Sequence, residues 1–187
     1  YDCFSNGSYR RTSAKRHEVK YALSQIINTL AKDSLCDQII PSRNEPDEYW
    51  IRAFLNRIRE ACSVLSSQDE EALLVLIFDA ADNAEMAAEE QGGTCFANQL
   101  LKEIVPENCR LVFTCRPERL DLLDPPHSVN KIKLSPFSNE ETLENLRGKY
   151  VCATIEQATE FNRLTGGNPR VQSNAMSLQI PSLDHLL

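Results

Sequence analysis

The sequence predicts an α/β protein: a parallel sheet flanked by helices over residues 1–137, then a small all-helical lid over 138–187. Three observations predict it. Ala72-Leu73-Leu74-Val75-Leu76-Ile77-Phe78 is an unbroken apolar run with acids before and after it, too short to span a bilayer and suited to a central strand covered by helices on both faces. Leu111-Val112-Phe113-Thr114-Cys115 is a second short strand-like run, and the helical residues between the two imply a βαβ unit. After residue 137 strand signals stop and helix-start signals take over.

Taken in order, residues 1–4 read as the end of a strand, with a turn-rich loop (Ser5-Asn6-Gly7-Ser8) after it. Val19, Leu23, Ile26, Ile27 and Leu30 form the apolar stripe of a helix over about 14–32. A second helix over about 46–65 starts with Pro46 in its first turn and lines one face with Trp50, Phe54, Leu55, Ile58, Cys62 and Leu65. Residues 84–105 are helical in composition but broken at Gly92-Gly93, with Phe96, Leu100, Leu101 and Ile104 on the face of the second piece. A proline-punctuated loop over 118–137 contains a short apolar stretch at 132–134. Ser138…Glu141 and Thr154…Gln157 have the spacing of capping boxes, and Asn168 and Pro169 suit the cap and first residue of a last helix ending near Pro181.

Composition narrows the function classes. A net charge of −7 and a pI near 5.1 argue against a face that grips nucleic acid or an anionic membrane. Cys3, Cys36, Cys62, Cys95, Cys109, Cys115 and Cys152 are odd in number and widely spaced, without a C-x-x-C pair, which fits reduced thiols in a cytoplasmic protein better than zinc or disulfides. The first residue is Tyr1 rather than Met, so the expectation is a piece of a longer chain.

In open parallel sheets ligands bind at the carboxyl ends of strands. Two such ends here are polar: Asp79-Ala80-Ala81-Asp82-Asn83 and Thr114-Cys115-Arg116-Pro117. An acid fixed by a rigid strand can hold Mg²⁺ through one of the ion's waters, and a second acid three residues on can orient a water near a γ-phosphate. An arginine on the neighbouring strand can contact that phosphate. The run 74–83 resembles the Walker B motif of STAND-class P-loop NTPases, the signalling ATPases that include NACHT proteins. Residues 114–117 are similar to the sensor 1 segment of that class. Gly167-Asn168-Pro169 resembles its GxP motif, whose proline packs on the adenine base. The three motifs occur in the family's order between residues 72 and 170, and the chain looks most like the bacterial antiviral branch.

The resemblance implies a partial P-loop NTPase core with Walker B and sensor 1, and a helical lid that carries the GxP motif. It implies ATP and Mg²⁺ as cofactors of the intact protein, with Asp79 holding Mg²⁺ through water. Asp82 and Arg116 then take the catalytic roles, and Gly167, Asn168 and Pro169 bind nucleotide. The intact protein is expected to be an ATPase that self-oligomerises, with effector and sensor domains elsewhere, acting in antiphage defence without direct contact with nucleic acid or membrane. Two departures matter. No G-x-x-x-x-G-K-[ST] is present, so the P-loop is expected upstream and this piece is expected to be inactive. Asn83 stands where many relatives carry Glu and cannot act as a general base, which motivates an alternative, a degenerate NTPase fold serving as a protein–protein scaffold. A thiol-dependent enzyme is a third possibility, resting on Cys115 beside Arg116.

Each signal also has a plain structural explanation. Asp79, Asp82 or Asn83 could cap the helix that follows. Arg116 could pair with Glu118 or Asp121, and Gly167-Asn168-Pro169 is complete as a turn and cap. Asp2, Asn6, Arg10 and Arg11 read as a solvated loop, the run Glu85–Glu90 reads as an exposed helix face, and His17, His127 and His185 suggest no role.

Overall fold

The computed structural model describes residues 1–13, 15–41, 45–178, 180 and 182–185, with the side chains of residues 6, 9 and 184 left undescribed. The protein is mixed α/β and divides into two compact units, Tyr1–Lys131 and Ile132–Leu187.

In the first unit, helix α1 (Val19–Lys32) and helix α2 (Asp47–Gln68) pack together. All five residues of the α1 stripe are buried, as are Trp50, Phe54, Leu55, Ile58 and Cys62 of α2. Ala14, where the first helix was expected to begin, lies outside the described residues. Pro46 is the N-cap residue of α2 rather than part of its first turn; its extended backbone (φ −72°, ψ 165°) leads into the helix.

Strand β1 (Leu74–Phe78) pairs in parallel with strand β2 (Cys109–Phe113), Leu74 opposite Cys109 and Phe78 opposite Phe113. The second strand therefore starts and ends two positions before the apolar run that suggested it. Cys109 is buried at the strand's start, and Thr114, the first residue past its end, still donates its N–H to the Phe78 carbonyl at 3.0 Å. Residues 1–3 lie alongside β1: Asp2 bridges Asp79 in parallel, and the Tyr1 amino group donates to the Ile77 carbonyl at 2.6 Å. Helix α3 (Ala81–Gln91) and the short helix α4 (Phe96–Leu100) link the two strands, with the expected break at Gly92-Gly93. Ile104 does not continue the α4 face. It lies in the loop before β2, 87% exposed.

The expectation that β1 is covered on both faces is corrected. Leu74 and Phe78 are buried, and Phe78 stacks on Phe113 at 4.6 Å and meets Phe96 at 5.6 Å, but Leu73, Val75, Ile77 and Val112 are between 42% and 53% exposed. The alternation of a one-sided strand is present, and the hydrophobicity of both faces hid it in the sequence.

In the second unit, helices α5 (Asn139–Arg147) and α6 (Ile155–Thr165) each open with a complete reciprocal capping box, built by Ser138 with Glu141 and by Thr154 with Gln157. Helix α7 (Pro169–Ser177) follows. Leu146, Ala153, Ala158, Phe161 and Leu183 form a small core. The unit begins upstream of the expected boundary at 137/138, because Phe137 is tied into it. The Phe137 N–H donates to the Gly167 carbonyl at 2.8 Å, and Asn162 Nδ2 donates to the Phe137 carbonyl at 2.6 Å.

Candidate functional site

At the carboxyl end of β1 three segments meet. The Asp79 N–H donates to the Tyr1 carbonyl at 2.8 Å, and the Cys3 N–H donates to the Asp79 carbonyl at 2.9 Å. The Thr114 hydroxyl, one residue past β2, donates to Asp79 Oδ1 at 2.7 Å and accepts from the Ala80 N–H at 2.8 Å. The Thr114 carbonyl accepts from the Ala81 N–H, also at 2.8 Å. Asp79 is thus an exposed carboxylate on a fixed backbone, with one oxygen oriented by a neighbouring hydroxyl.

Between strand and helix, Ala80 adopts the left-handed conformation (φ 54°, ψ 47°), which costs an alanine about 1 kcal/mol. Thr114 holds this turn from both sides of the peptide. Among the described residues no side chain caps α3: Ala80 occupies the N-cap position, and Asp82 and Asn83 lie within the first turn. The capping role considered for Asp79, Asp82 and Asn83 is therefore corrected, because the sharp turn starts the helix earlier than the sequence suggested.

Asp82 points into the protein and is 1% exposed. Its Oδ2 faces two guanidinium groups, Arg119 Nη1 at 3.2 Å and Arg116 Nε at 3.9 Å. Arg116 thus lies nearest Asp82, not Glu118 or Asp121 as its sequence neighbours suggested. Asn83 is equally buried, and its Oδ1 has no hydrogen-bond partner among the described residues. Cys115 is half-buried, and burial together with the nearby Asp82 carboxylate pushes its thiol pKa up. That removes the reason for a thiolate nucleophile there, since the neighbouring cation was expected to lower it.

Sequence reasoning missed two contributors. Thr114 lay within the quoted motif without a role, and only the parallel register shows that its hydroxyl reaches Asp79. Arg119 was overlooked altogether. Pro117–Leu123 forms a 3₁₀ helix, whose three-residue turn brings positions 116 and 119 to one side, and the Pro117 that starts this turn was the available signal.

In the second unit, Gly166 ends α6 in the left-handed conformation (φ 60°), and Gly167 (φ 64°) is packed against Pro136 and Phe137. Asn168 Oδ1 accepts from the Arg170 and Val171 N–H groups at 3.0 and 3.2 Å, and Pro169 is the first residue of α7. Asn168 and Pro169 are exposed. These residues complete a turn and cap without a ligand.

Outside the site, Asp2, Arg10 and Arg11 are exposed, as expected of solvated residues. The Asp2 carboxylate folds back onto the Phe4 and Ser5 N–H groups, both at 2.8 Å, and Arg10 pairs with Glu90 at 3.3 Å. The acidic run is not wholly exposed: Glu85 is half-buried and accepts from the Asn98 N–H at 2.9 Å, and burial raises its carboxyl pKa. His17 is buried.

Among the described residues no group of three or more His, Cys, Asp or Glu side chains gathers as a metal cage. A single strand-end carboxylate suits Mg²⁺, which keeps most of its waters and takes other oxygens from phosphate. No helix among the described residues is long and apolar enough to cross a membrane. A scan against protein-family models and a search of curated proteins found no match for this chain.

Proposed function

We propose that this chain is the Walker B, sensor 1 and lid portion of a STAND-class signalling ATPase, working as a nucleotide-gated oligomerisation switch in bacterial antiphage defence. The observation that carries the proposal is the exposed Asp79 carboxylate at the carboxyl end of a parallel strand, oriented by Thr114 from the neighbouring strand. The left-handed Ala80 supports it, because backbone strain held in place by specific bonds is common at functional sites.

In this proposal ATP·Mg²⁺ is bound jointly with a P-loop from the longer protein. The ion neutralises phosphate charge, and Asp79 holds one of its waters, with Thr114 fixing the carboxylate's rotation. Arg116 reads the terminal phosphate. Asp82, buried against the two arginines, acts on the same phosphate by positioning Arg116 rather than by orienting the attacking water. Gly167 and Asn168 shape the turn that presents Pro169 to the base. Asn83 cannot serve as a general base, so slow hydrolysis, with nucleotide acting mainly as a switch, is part of the same proposal.

The buried Asn83 also favours the alternative of a non-catalytic scaffold, since burial suits a neutral side chain in place of an acid. Titration calorimetry separates the two. ATP·Mg²⁺ is titrated into protein extended upstream by about 100 residues, roughly one further subdomain, and into its Asp79→Ala variant. The proposal expects Mg²⁺-dependent binding that the substitution weakens or renders Mg²⁺-independent. A folded extended protein that binds no nucleotide would leave the scaffold in its place.

A further inference from the structure

We infer that Asp82 is the latch of a two-arginine device in which Arg119 is the permanent partner and Arg116 the releasable one, freed to a terminal phosphoryl group. The inference rests on the nucleotide proposal for the same site and adds Arg119 to it as a positioning residue.

Both guanidinium groups address one oxygen, Asp82 Oδ2. The Arg119 contact at 3.2 Å is a hydrogen bond, whereas Arg116 at 3.9 Å is beyond hydrogen-bonding distance and is held by charge alone. Exposure follows the same order, with the Arg116 side chain 54% exposed and Arg119 28%. A buried carboxylate that loses its only cation is strongly destabilised. With Arg119 remaining in place, Arg116 can leave Asp82 without exposing it to that penalty. One carboxylate against two guanidinium groups also leaves the cluster with a net positive charge, which attracts an anion. The Arg119 N–H donates to the Arg116 carbonyl at 2.9 Å, so the two residues are held at a fixed spacing while their side chains differ in freedom. Asp82 thereby sets the resting position of Arg116, and Arg119 makes that position reversible.

The test uses nitrogen-detected NMR of the arginine guanidinium groups in the upstream-extended protein, with tripolyphosphate as the probe. The expected result is an ordered Arg119, a more mobile Arg116, and a tripolyphosphate-dependent shift at Arg116 alone. Arg119→Gln should abolish that shift, because Arg116 becomes the sole partner of Asp82, and Arg119→Lys should retain it. Asp82→Asn should mobilise Arg119 before any phosphate is added, which keeps the test available if Arg119→Gln does not fold. An Arg116 response unchanged in Arg119→Gln, or an Arg119 unaffected by Asp82→Asn, refutes the latch and leaves the nucleotide proposal standing. No response at either arginine, with Arg119 ordered, refutes the release step and the phosphate-reading role of Arg116 together.

Discussion

Gly166 and Gly167 are sequence neighbours with nearly the same backbone conformation, φ 60° and 64°, in different surroundings. A Cβ added at Gly166 would meet nothing within 4 Å among the described residues. One added at Gly167 would lie 2.8 Å from the Phe137 carbonyl oxygen and 2.9 Å from Pro136 Cβ. Alanine at either position pays about 1 kcal/mol for the left-handed conformation. At Gly167 it also pays for overpacking against backbone that Asn162 and Gly167 themselves hold in place, adding about 1–3 kcal/mol. Gly166→Ala should therefore destabilise the second unit by about 1 kcal/mol and Gly167→Ala by about 2–4 kcal/mol. Hydrogen exchange of the α6 and α7 amides reads this locally, and the difference between the variants corresponds to at least about fivefold faster opening for Gly167→Ala. Equal effects would refute the reasoning by showing that the Pro136-Phe137 segment yields at no cost. Loss of any nucleotide response in Gly167→Ala would therefore report the fold of the second unit rather than the proposed contact with a base.

Two further outcomes are expected. Phe78→Ala removes a fully buried ring and should cost the first unit about 3–5 kcal/mol in urea unfolding, while Ile77→Ala on the open face should cost less than about 1 kcal/mol; comparable losses would mean that the sheet is covered on both sides. Burial lowers the His17 pKa below its ordinary 6.5, so the unfolded chain takes up a proton before the folded one does. His17 thus contributes a loss of stability as pH falls through about 6.5. His17→Gln should flatten the unfolding midpoint between pH 7 and about 5 relative to wild type, and parallel profiles for the two proteins would refute the assignment.

Legibility in the sequence followed the range of the interactions. Local features read well: the capping boxes at Ser138 and Thr154 and the Asn168-Pro169 helix start involve side chains and backbone within three residues. The α1 and α2 stripes also read well, because a helix repeats its burial every turn. Features set by pairing across the chain did not. The register that brings Thr114 to Asp79, and the open face of β1, both depend on where β2 lies. The buried Gln172 amide of the second unit was missed for the same reason. Gln172 donates to Thr142 Oγ1 at 3.0 Å and to Thr165 Oγ1 at 3.2 Å and accepts from Asn145 at 3.2 Å, a network from three helices. A polar residue on a helix gives no local sign that its partners lie on other helices.

The three motifs that prompted the nucleotide reading carry unequal weight once their structural roles are separated. Gly167-Asn168-Pro169 is fully occupied: the glycine by a close approach, the asparagine by two N–H groups, the proline by its place in the first turn. Finding it in any helical unit therefore needs no ligand. Arg116 is partly occupied, holding a long contact with Asp82 that a closer arginine already satisfies. Asp79 differs from both. Its carboxylate caps no helix, and the Thr114 hydroxyl that orients it equally serves the Ala80 N–H. An aliphatic residue there would continue the strand, and an asparagine or serine would accept the same hydroxyl, so the turn does not require a charge. The negative charge at the end of β1 is the part of the site that folding leaves unexplained. It is therefore the feature on which the proposed Mg²⁺ and nucleotide site rests.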